Sequence, residues 1–182
     1  STPAAAKRCM EEIFLPTIRA MAAEGRPFKG CLYFGLMLTG DGPKVIEYNC
    51  RFGDPETQVV LPLLESDLLT VMLATTDGTL AETDVSFRDG AAACVILASG
   101  GYPLSYEKGK EIAGLTLGQL PGRKDVTVYH AGTALRDGTL VTSGGRVLGV
   151  TATADTLPEA LQRAYAACEE IHFDKLHKRS DI

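Results

Sequence analysis

The 182-residue sequence predicts an α/β (α+β) chain in two parts. In residues 1–88 a helical pattern precedes a strand hairpin and further helices. In residues 89–182 short apolar strands dominate, and an amphipathic helix follows them. The composition changes at residues 77–89, which are polar and rich in turn residues, so the domain boundary is placed there.

The first part begins with a helix whose ends are marked by its sequence. Thr2 followed by Pro3 is a typical helix start, with a capping hydroxyl before a proline at the first helical position. Pro16 should kink or restart this helix, because its ring removes a backbone donor and meets the preceding turn. Gly25 and Pro27 should end it.

A hairpin and two helices follow. Residues 30–38 are almost wholly apolar and are predicted as a strand buried on both faces, and residues 44–52 as the returning strand. Because strand side chains alternate, one face of the second strand is predicted to lie in the core. That face carries Ile46, Tyr48, Cys50 and Phe52. Asp54 is expected to cap the next helix, and Ser66 or Asp67 to cap a further one.

The second part is predicted to consist mainly of strands. The predicted strands are residues 91–98, 126–131, 133–136, 139–142 and 146–152. Asp137-Gly138 is a hairpin turn signal between the third and fourth of them. A final helix should run from Thr156 to about Ile171, and the charged tail from Asp174 should be loop or frayed.

Composition narrows the class of protein. Apolar residues make up 45% and charged residues 23%, with a net charge of −5. No basic run suits a nucleic acid, no apolar stretch is long enough for a bilayer, and no signal peptide is expected. The five cysteines are odd in number and far apart, so we expect reduced core thiols in a cytoplasmic protein.

The returning strand carries polar side chains that suit a site. Glu47, Asn49 and Arg51 should share the face opposite the predicted core face. Carboxylate and amide oxygens are hard ligands that suit Mg²⁺, and a guanidinium suits a carboxylate or phosphate. The alternative for the Glu-x-Asn pair is the exposed polar face of an edge strand.

The helix start after this strand could bind an anion. Free N–H groups and the helix dipole at Asp54–Thr57 favour negative charge, so an anionic substrate could lie between Arg51 and that end. Two structural alternatives stay open. Arg51 could form a salt bridge with Asp54 or Glu56, and Asp54 could simply cap the helix.

Several segments together resemble the phosphoribosylamine–glycine ligase (glycinamide ribonucleotide synthetase) family of the ATP-grasp superfamily. The run Arg-Phe-Gly-Asp-Pro-Glu-Thr-Gln is its most specific motif. The resemblance is carried by residues 36–39, 41–45, 47–58, 98–103, 130–133 and 143–148. It implies that residues 1–88 are the closing part of an ATP-grasp domain and residues 89–182 the C-terminal domain of this family.

The resemblance also implies a cofactor and a reaction. Glu47 and Asn49 would bind Mg²⁺ or Mn²⁺, with ATP as co-substrate. Many ATP-grasp relatives have a further acid on the preceding strand, which would fall at Gly35. The reaction of the family joins glycine to 5-phosphoribosylamine in purine biosynthesis. The N-terminal domain and the ATP-binding residues of the family have no match here, so we expect a C-terminal portion that is inactive alone.

Further site residues follow from the resemblance and from spacing. Arg51 is expected to hold the glycine carboxylate or its acyl phosphate, and Asp54 or Glu56 to receive an ammonium group. The segment from Ser143 to Arg146 has two interpretations. It could be a tight turn, or Gly144 and Gly145 could form a backbone nest that binds the phosphoribosyl group with Arg146. His130 is expected to be structural.

The sequence leaves two other functions open. One is another ATP-grasp carboxylate–amine ligase or a carboxylase, which the dependence of ADP release on substrate would distinguish. The other is a non-catalytic interaction fragment.

Overall fold

A computed structural model describes residues 2–182, and Ser1 lies outside the described residues. Within this range the chain forms two compact units. The first unit holds the described residues up to Gly53 and Ser66–Val85, and the second holds Asp54–Glu65 and Ser86–Ile182. The two units therefore do not correspond to a single cut in the sequence, and a domain boundary at residues 88/89 stays a prediction.

The helical start of the first unit consists of α1 (Pro3–Cys9), a π-helical turn (Met10–Phe14) and α2 (Leu15–Ala23). The Thr2 hydroxyl accepts a hydrogen bond from the Ala5 amide at 3.2 Å, which confirms the predicted cap. The interruption expected at Pro16 is the π-helical turn just before it. The wider turn accommodates a ring that an α-helix interior would exclude.

The hairpin of the first unit consists of β1 (Tyr33–Thr39) and β2 (Gly42–Asn49), which pair antiparallel. Its register places Gly35 opposite Glu47. The rings of Phe14, Phe34 and Tyr48 form a chain with centroid distances of 4.4 and 5.3 Å. These aromatic contacts pack the π-helical turn against one side of the hairpin.

The predictions that β1 is buried on both faces and that part of β2 lies in a core are wrong for this chain. No residue of β1 is fully buried. Ile46 and Tyr48 are 62% and 51% exposed, and Cys50 and Phe52 are also exposed. The reason is topological: within residues 2–182 this sheet has only two strands, so little chain is available to cover it.

Two helices follow the hairpin and belong to different units. The helix α3 (Thr57–Val60) begins later than predicted, and Glu56 rather than Asp54 precedes it. It continues as a 3₁₀ turn, Leu61–Leu63. The helix α4 (Leu68–Asp77) is capped by Asp67, whose carboxylate accepts from the Thr70 amide at 2.7 Å.

The second unit is built on a three-stranded antiparallel sheet. Its strands are β3 (Ala91–Ala98), β4 (Val126–His130) and β7 (Arg146–Ala154), in the order β3-β7-β4. A separate hairpin joins β5 (Thr133–Arg136) to β6 (Thr139–Thr142) through Asp137 and Gly138, which have φ of 50° and 81°. Both turn residues are left-handed, as the predicted tight hairpin requires.

The core of the second unit lies between this sheet and α5 (Leu157–Cys168). Val147, Leu148 and Val150 of the central strand are fully buried, as are Ala160 and Ala164 of the helix. The small helix residues let the helix lie close to the sheet. Burial of this apolar surface is the main contribution to the stability of the unit.

Both outer strands of the three-stranded sheet have partners beyond it. At the β3 edge, Ala98 and His177 exchange backbone hydrogen bonds of 2.8 and 2.9 Å. At the β4 edge, the Gln119 carboxamide donates to the Val128 carbonyl at 2.8 Å and accepts from its amide at 3.0 Å. The tail is therefore loop, as predicted, but it is tied to the sheet rather than frayed.

The five cysteines differ in exposure, which partly corrects the prediction of core thiols. Cys9 and Cys168 are buried, whereas Cys50 is exposed. Burial raises the pKa of the Cys168 thiol to about 12. No helix within residues 2–182 is both long enough and apolar enough to span a bilayer.

Candidate functional site

The predicted metal pair lies at the end of β2. Asn49 Nδ2 donates to Glu47 Oε1 at 3.1 Å, so the two side chains are side by side. In this orientation, Asn49 Oδ1 and the second carboxylate oxygen of Glu47 are oxygen atoms of the kind that bind a hard cation. Among the described residues no group of three or more His, Cys, Asp or Glu could hold a metal ion. A cation here would therefore need further oxygens from a ligand or from water.

The backbone of β1 makes room for this pair. A Cβ at Gly35 would lie 2.7 Å from Cγ of Glu47, which is too close for any other residue without movement. Gly35, the position at which many ATP-grasp relatives would carry a further acid, lies directly opposite Glu47. Glycine at this position lets the Glu47 side chain lie across β1.

Arg51 does not share the face of the strand as predicted. The strand ends at Asn49 because its partner β1 begins opposite, at Tyr33. Beyond that point the alternation of a strand no longer applies. The Arg51 guanidinium donates to the Phe52 carbonyl at 3.1 Å and is exposed.

Asp54 is held by two side chains of the second unit. Gln58 Nε2 donates to Asp54 Oδ1 at 2.6 Å, and Arg146 Nη2 lies 3.3 Å from Oδ2. Arg146 Nη1 also donates to the Asp54 backbone carbonyl at 3.0 Å. This arrangement joins the segment that precedes α3 to the start of β7.

The predicted anion site at the start of α3 is not supported by the fold. Asp54 is not the cap, because its carboxylate is engaged by the side chains of Gln58 and Arg146 instead. The α-helical segment is only four residues long, which is too short for a useful dipole. Glu56 is half-buried, and its carbonyl accepts from the amides of Val59 and Val60 at 3.1 and 3.0 Å.

Gly144 and Gly145 form no backbone nest, since neither has the positive φ that a nest needs. They allow close approach instead. A Cβ on Gly144 would lie 2.9 Å from the Cα of Gly132, and one on Gly145 would enter the ring of Tyr102. Ser99 strengthens this junction, because its hydroxyl donates to the Gly144 carbonyl at 2.8 Å.

His130 has partners on both ring nitrogens. Nε2 lies 2.9 Å from the Gly118 carbonyl, and Nδ1 lies 3.1 Å from Oγ1 of Thr133. A carbonyl can only accept, so Nε2 carries a proton, and in a neutral imidazole the Thr133 hydroxyl would donate to Nδ1. This fits the structural role that the sequence predicted.

Several residues around Arg146 were not singled out from the sequence. Gln58 was part of the motif, and its contact with Asp54 joins residues four apart, a spacing that the predicted helix start at Asp54 could have marked. The sequence marks Lys178 and Arg179 only as part of a charged tail. The signal that could have marked them is the basic run His177-Lys178-Arg179 directly after an apolar residue.

The hairpin with the adjacent Glu47 and Asn49 lies in a segment that matches an ATP-grasp domain model, so the chain is of the ATP-grasp type. The biotin carboxylase–β,γ-ATP complex of Campylobacter jejuni shares the fold with a TM-score of 0.65, at 13% identity over 98% of this chain and 38% of that one. The family model for the phosphoribosylglycinamide synthetase ATP-grasp (A) domain matches residues 1–57, and that for the C domain of the same synthetase matches residues 92–182. The chain belongs to the phosphoribosylglycinamide synthetase family.

Similar proteins support this assignment. Phosphoribosylamine–glycine ligase of Vibrio parahaemolyticus is 48% identical over the whole chain, and that of Mesorhizobium japonicum is 50% identical. The crystal structure of phosphoribosylamine–glycine ligase from Thermotoga maritima has a TM-score of 0.86 and 39% identity, covering the whole chain and 44% of that protein. The chain spans 42% of the length of the two curated relatives.

Proposed function

We propose that this chain supplies the metal-binding hairpin and the C-terminal domain of an ATP-dependent ligase that joins glycine to 5-phosphoribosylamine. The products would be glycinamide ribonucleotide, ADP and phosphate, in de novo purine biosynthesis. The observation that carries the proposal is the contact between Glu47 and Asn49 at 3.1 Å, in a chain of this family. We further propose a cytoplasmic location, which suits the free cysteines.

The ligase reaction would proceed in two chemical steps, each a nucleophilic substitution. The glycine carboxylate attacks the γ-phosphorus of ATP, and ADP leaves to give glycyl phosphate. The amine of phosphoribosylamine then attacks the acyl carbon, phosphate leaves, and the nitrogen releases one proton. Mg²⁺ or Mn²⁺ at Glu47 and Asn49 would neutralise negative charge on the phosphates.

The remaining roles follow from charge and position. The exposed guanidinium of Arg51 suits the glycine carboxylate or its acyl phosphate. Asp54 or Glu56 would receive an ammonium group, and the contacts of Asp54 with Gln58 and Arg146 would hold its carboxylate in place. Gly144 and Gly145 would shape the phosphoribosyl site by close approach, with Arg146 as its cation.

A chimaera tests the proposal. The 182 residues would replace the matching segment of the Vibrio parahaemolyticus relative, so that the remaining part of that protein precedes them. We expect glycine-dependent and phosphoribosylamine-dependent release of ADP from the chimaera, and none from the 182-residue chain alone. Release of ADP that depends on bicarbonate instead of glycine would show a carboxylase, and a chimaera that folds without turnover would contradict the ligase.

The metal pair is tested in the same chimaera. Glu47→Gln keeps the shape of the side chain but removes its charge, so we expect kcat to fall by about 10²-fold or more. Mn²⁺ binding, followed by electron paramagnetic resonance, should weaken with it. The matched control is Lys44→Gln, a charge removal on the same strand, which should change neither quantity. Equal Mn²⁺ binding by the wild-type and Glu47→Gln proteins would exclude Glu47 as a ligand.

A further inference from the structure

A row of residues crosses the edge of the second unit's sheet. Arg146, the first residue of β7, pairs with Ala98, the last residue of β3. Ala98 in turn pairs with His177 through the two backbone hydrogen bonds already described. The chain therefore brings the basic tripeptide 177–179 beside Arg146, although more than thirty residues separate them.

A pocket of about 300 Å³ opens at this row. It is lined by Ile96, Ala98, Tyr102, Pro103, Arg146, His177, Lys178 and Arg179. Three of these side chains are permanently cationic at neutral pH, and a fourth is a histidine. The residues that line it in the described part of the chain include no carboxylate. Such a concentration of positive charge in a small concave site favours an anion.

The cations are positioned by acids that lie outside the pocket lining. Lys178 pairs with Glu169 at 2.8 Å, and Arg179 pairs with Asp181 through bonds of 2.9 and 2.8 Å. The hydrogen bond from Lys178 lowers the pKa of Glu169. The carboxylates of these pairs are exposed, so each ion pair is weak on its own. An anion that contacts several of the cations at once can therefore compete with the carboxylates.

Tyr102 forms a fixed wall of the pocket. Its ring lies against the backbone of Gly145, where a Cβ would overlap it, and it meets the ring of Tyr106 edge-on at 6.1 Å. A ring held on two sides presents a stable surface for an uncharged group such as a sugar. Gly145 therefore shapes the pocket indirectly, because its lack of a side chain leaves room for the Tyr102 ring.

We propose that this pocket binds a small phosphate monoester, with Arg146, Lys178 and Arg179 on the phosphate and Tyr102 along the attached sugar. The inference rests on the proposed function, for which it names the 5-phosphate of the phosphoribosyl substrate as the group bound here. A dianionic phosphate with three cations forms charge-assisted hydrogen bonds that a neutral sugar cannot make. Arg146 also contacts Asp54, so occupancy of the pocket acts on the segment before α3.

Binding to the 182-residue chain tests the site without requiring turnover. Ribose 5-phosphate is titrated by calorimetry, with ribose and inorganic phosphate as comparison ligands. We expect ribose 5-phosphate to bind, inorganic phosphate to bind more weakly, and ribose not to bind. No binding of ribose 5-phosphate, or equal binding of ribose, would overturn the inference. Ligase activity in the chimaera is a separate measurement, so either proposal can fail alone.

Two arginines with the same kinds of hydrogen-bond partner serve as the test and the control for phosphate binding. Arg146 has one carboxylate partner and one backbone carbonyl partner, and Arg163 has the same set: Asp125 at 2.9 Å and the Thr153 carbonyl at 2.9 Å. Arg146→Gln should raise the Kd for ribose 5-phosphate about tenfold or more, whereas Arg163→Gln should leave it unchanged.

A second variant separates binding from folding. Lys178→Gln should also raise the Kd about tenfold, and its amide spectrum should match that of the wild-type chain. If Arg146→Gln unfolds the second unit, the Lys178→Gln result decides alone. Wild-type affinity in Lys178→Gln, or an equal loss in Arg163→Gln, would show that the phosphate binds elsewhere or without specific contacts.

Discussion

Replacement of Gly132 by alanine tests how closely two loops of the second unit approach each other. A Cβ at this position would lie 2.6 Å from the Cα of Gly144 and 2.6 Å from the Arg146 carbonyl oxygen. Each distance is 0.8 Å shorter than the 3.4 Å at which ordinary contact begins. Neither neighbour is a flexible side chain, so the backbone itself would have to move.

The backbone cannot move freely, because hydrogen bonds hold both loops. The Gly132 amide donates to the Arg146 carbonyl at 2.9 Å, and the Ser143 amide donates to the Gly132 carbonyl at 2.7 Å. Inserting a methyl group into such a junction costs about 1–3 kcal/mol. We therefore expect Gly132→Ala to lower the Tm of the second unit by roughly 4–24 °C.

Differential scanning calorimetry measures this change, and hydrogen exchange at the Val147 and Val150 amides assigns the transition to the second unit. Gly40→Ala is the control, because a Cβ there would meet nothing within 4 Å and its φ is not left-handed. It should leave the Tm of either unit nearly unchanged. A Gly132→Ala chain with the wild-type transition and exchange rates would refute the reasoning from close approach.

Three further predictions concern other parts of the chain. Gln119→Met removes both side-chain bonds to the edge of β4 and should cost about 1–2 kcal/mol in urea unfolding, while the exposed Gln162→Met should cost almost nothing. Hydrogen bonds from Thr70 hold the pKa of Asp67 below its ordinary value of 3.8. The charged cap therefore stabilises α4 above pH 3.8, and this stabilisation is lost as the pH falls below that value. Asp67→Ala should therefore be less stable than wild type at pH 7, and the difference should shrink as the pH falls below 3.8, as followed by circular dichroism. In thiol labelling at pH 8, Cys50 should react fast and Cys168 only on unfolding, and fast labelling of Cys168 would contradict its burial.

The second unit could be predicted closely from the sequence. The strand 91–98 and the hairpin turn at Asp137-Gly138 lie where the patterns placed them. These elements are specified locally, by an apolar run and by turn residues, and the three-stranded sheet that contains β3 is covered by α5 within the same chain. For these elements, the structure indicated by the local sequence pattern is therefore also the one that burial in the folded chain favours.

The first unit could be predicted less well, because burial is not a local property. An apolar strand such as β1 indicates that something should cover it, but within residues 2–182 its sheet has only two strands. The contact between Glu47 and Asn49 was predictable, since it depends only on alternation along one strand. The strand end before Arg51 was not, since it depends on where the partner strand begins.

The positions around Asp54 show the same limit. The sequence indicates a helix start at Asp54-Pro55, but the carboxylate is taken by Gln58 and by Arg146, which lies 92 residues away. No spacing rule connects residues so distant. The basic pocket was missed for the same reason, because only the pairing of Ala98 with His177 brings the tail to β7.

The covered edges of the three-stranded sheet have a consequence for aggregation. His177 pairs with Ala98 on the open side of β3 and the Gln119 carboxamide pairs with Val128 on that of β4, so each edge is interrupted at one position where a second molecule would have to pair. In residues 2–182 the β1–β2 hairpin has no such cover, and it exposes Leu38 and Ile46. Self-association of this chain under stress should therefore begin at the hairpin, and charged substitutions there should improve its solubility while the second unit stays unchanged.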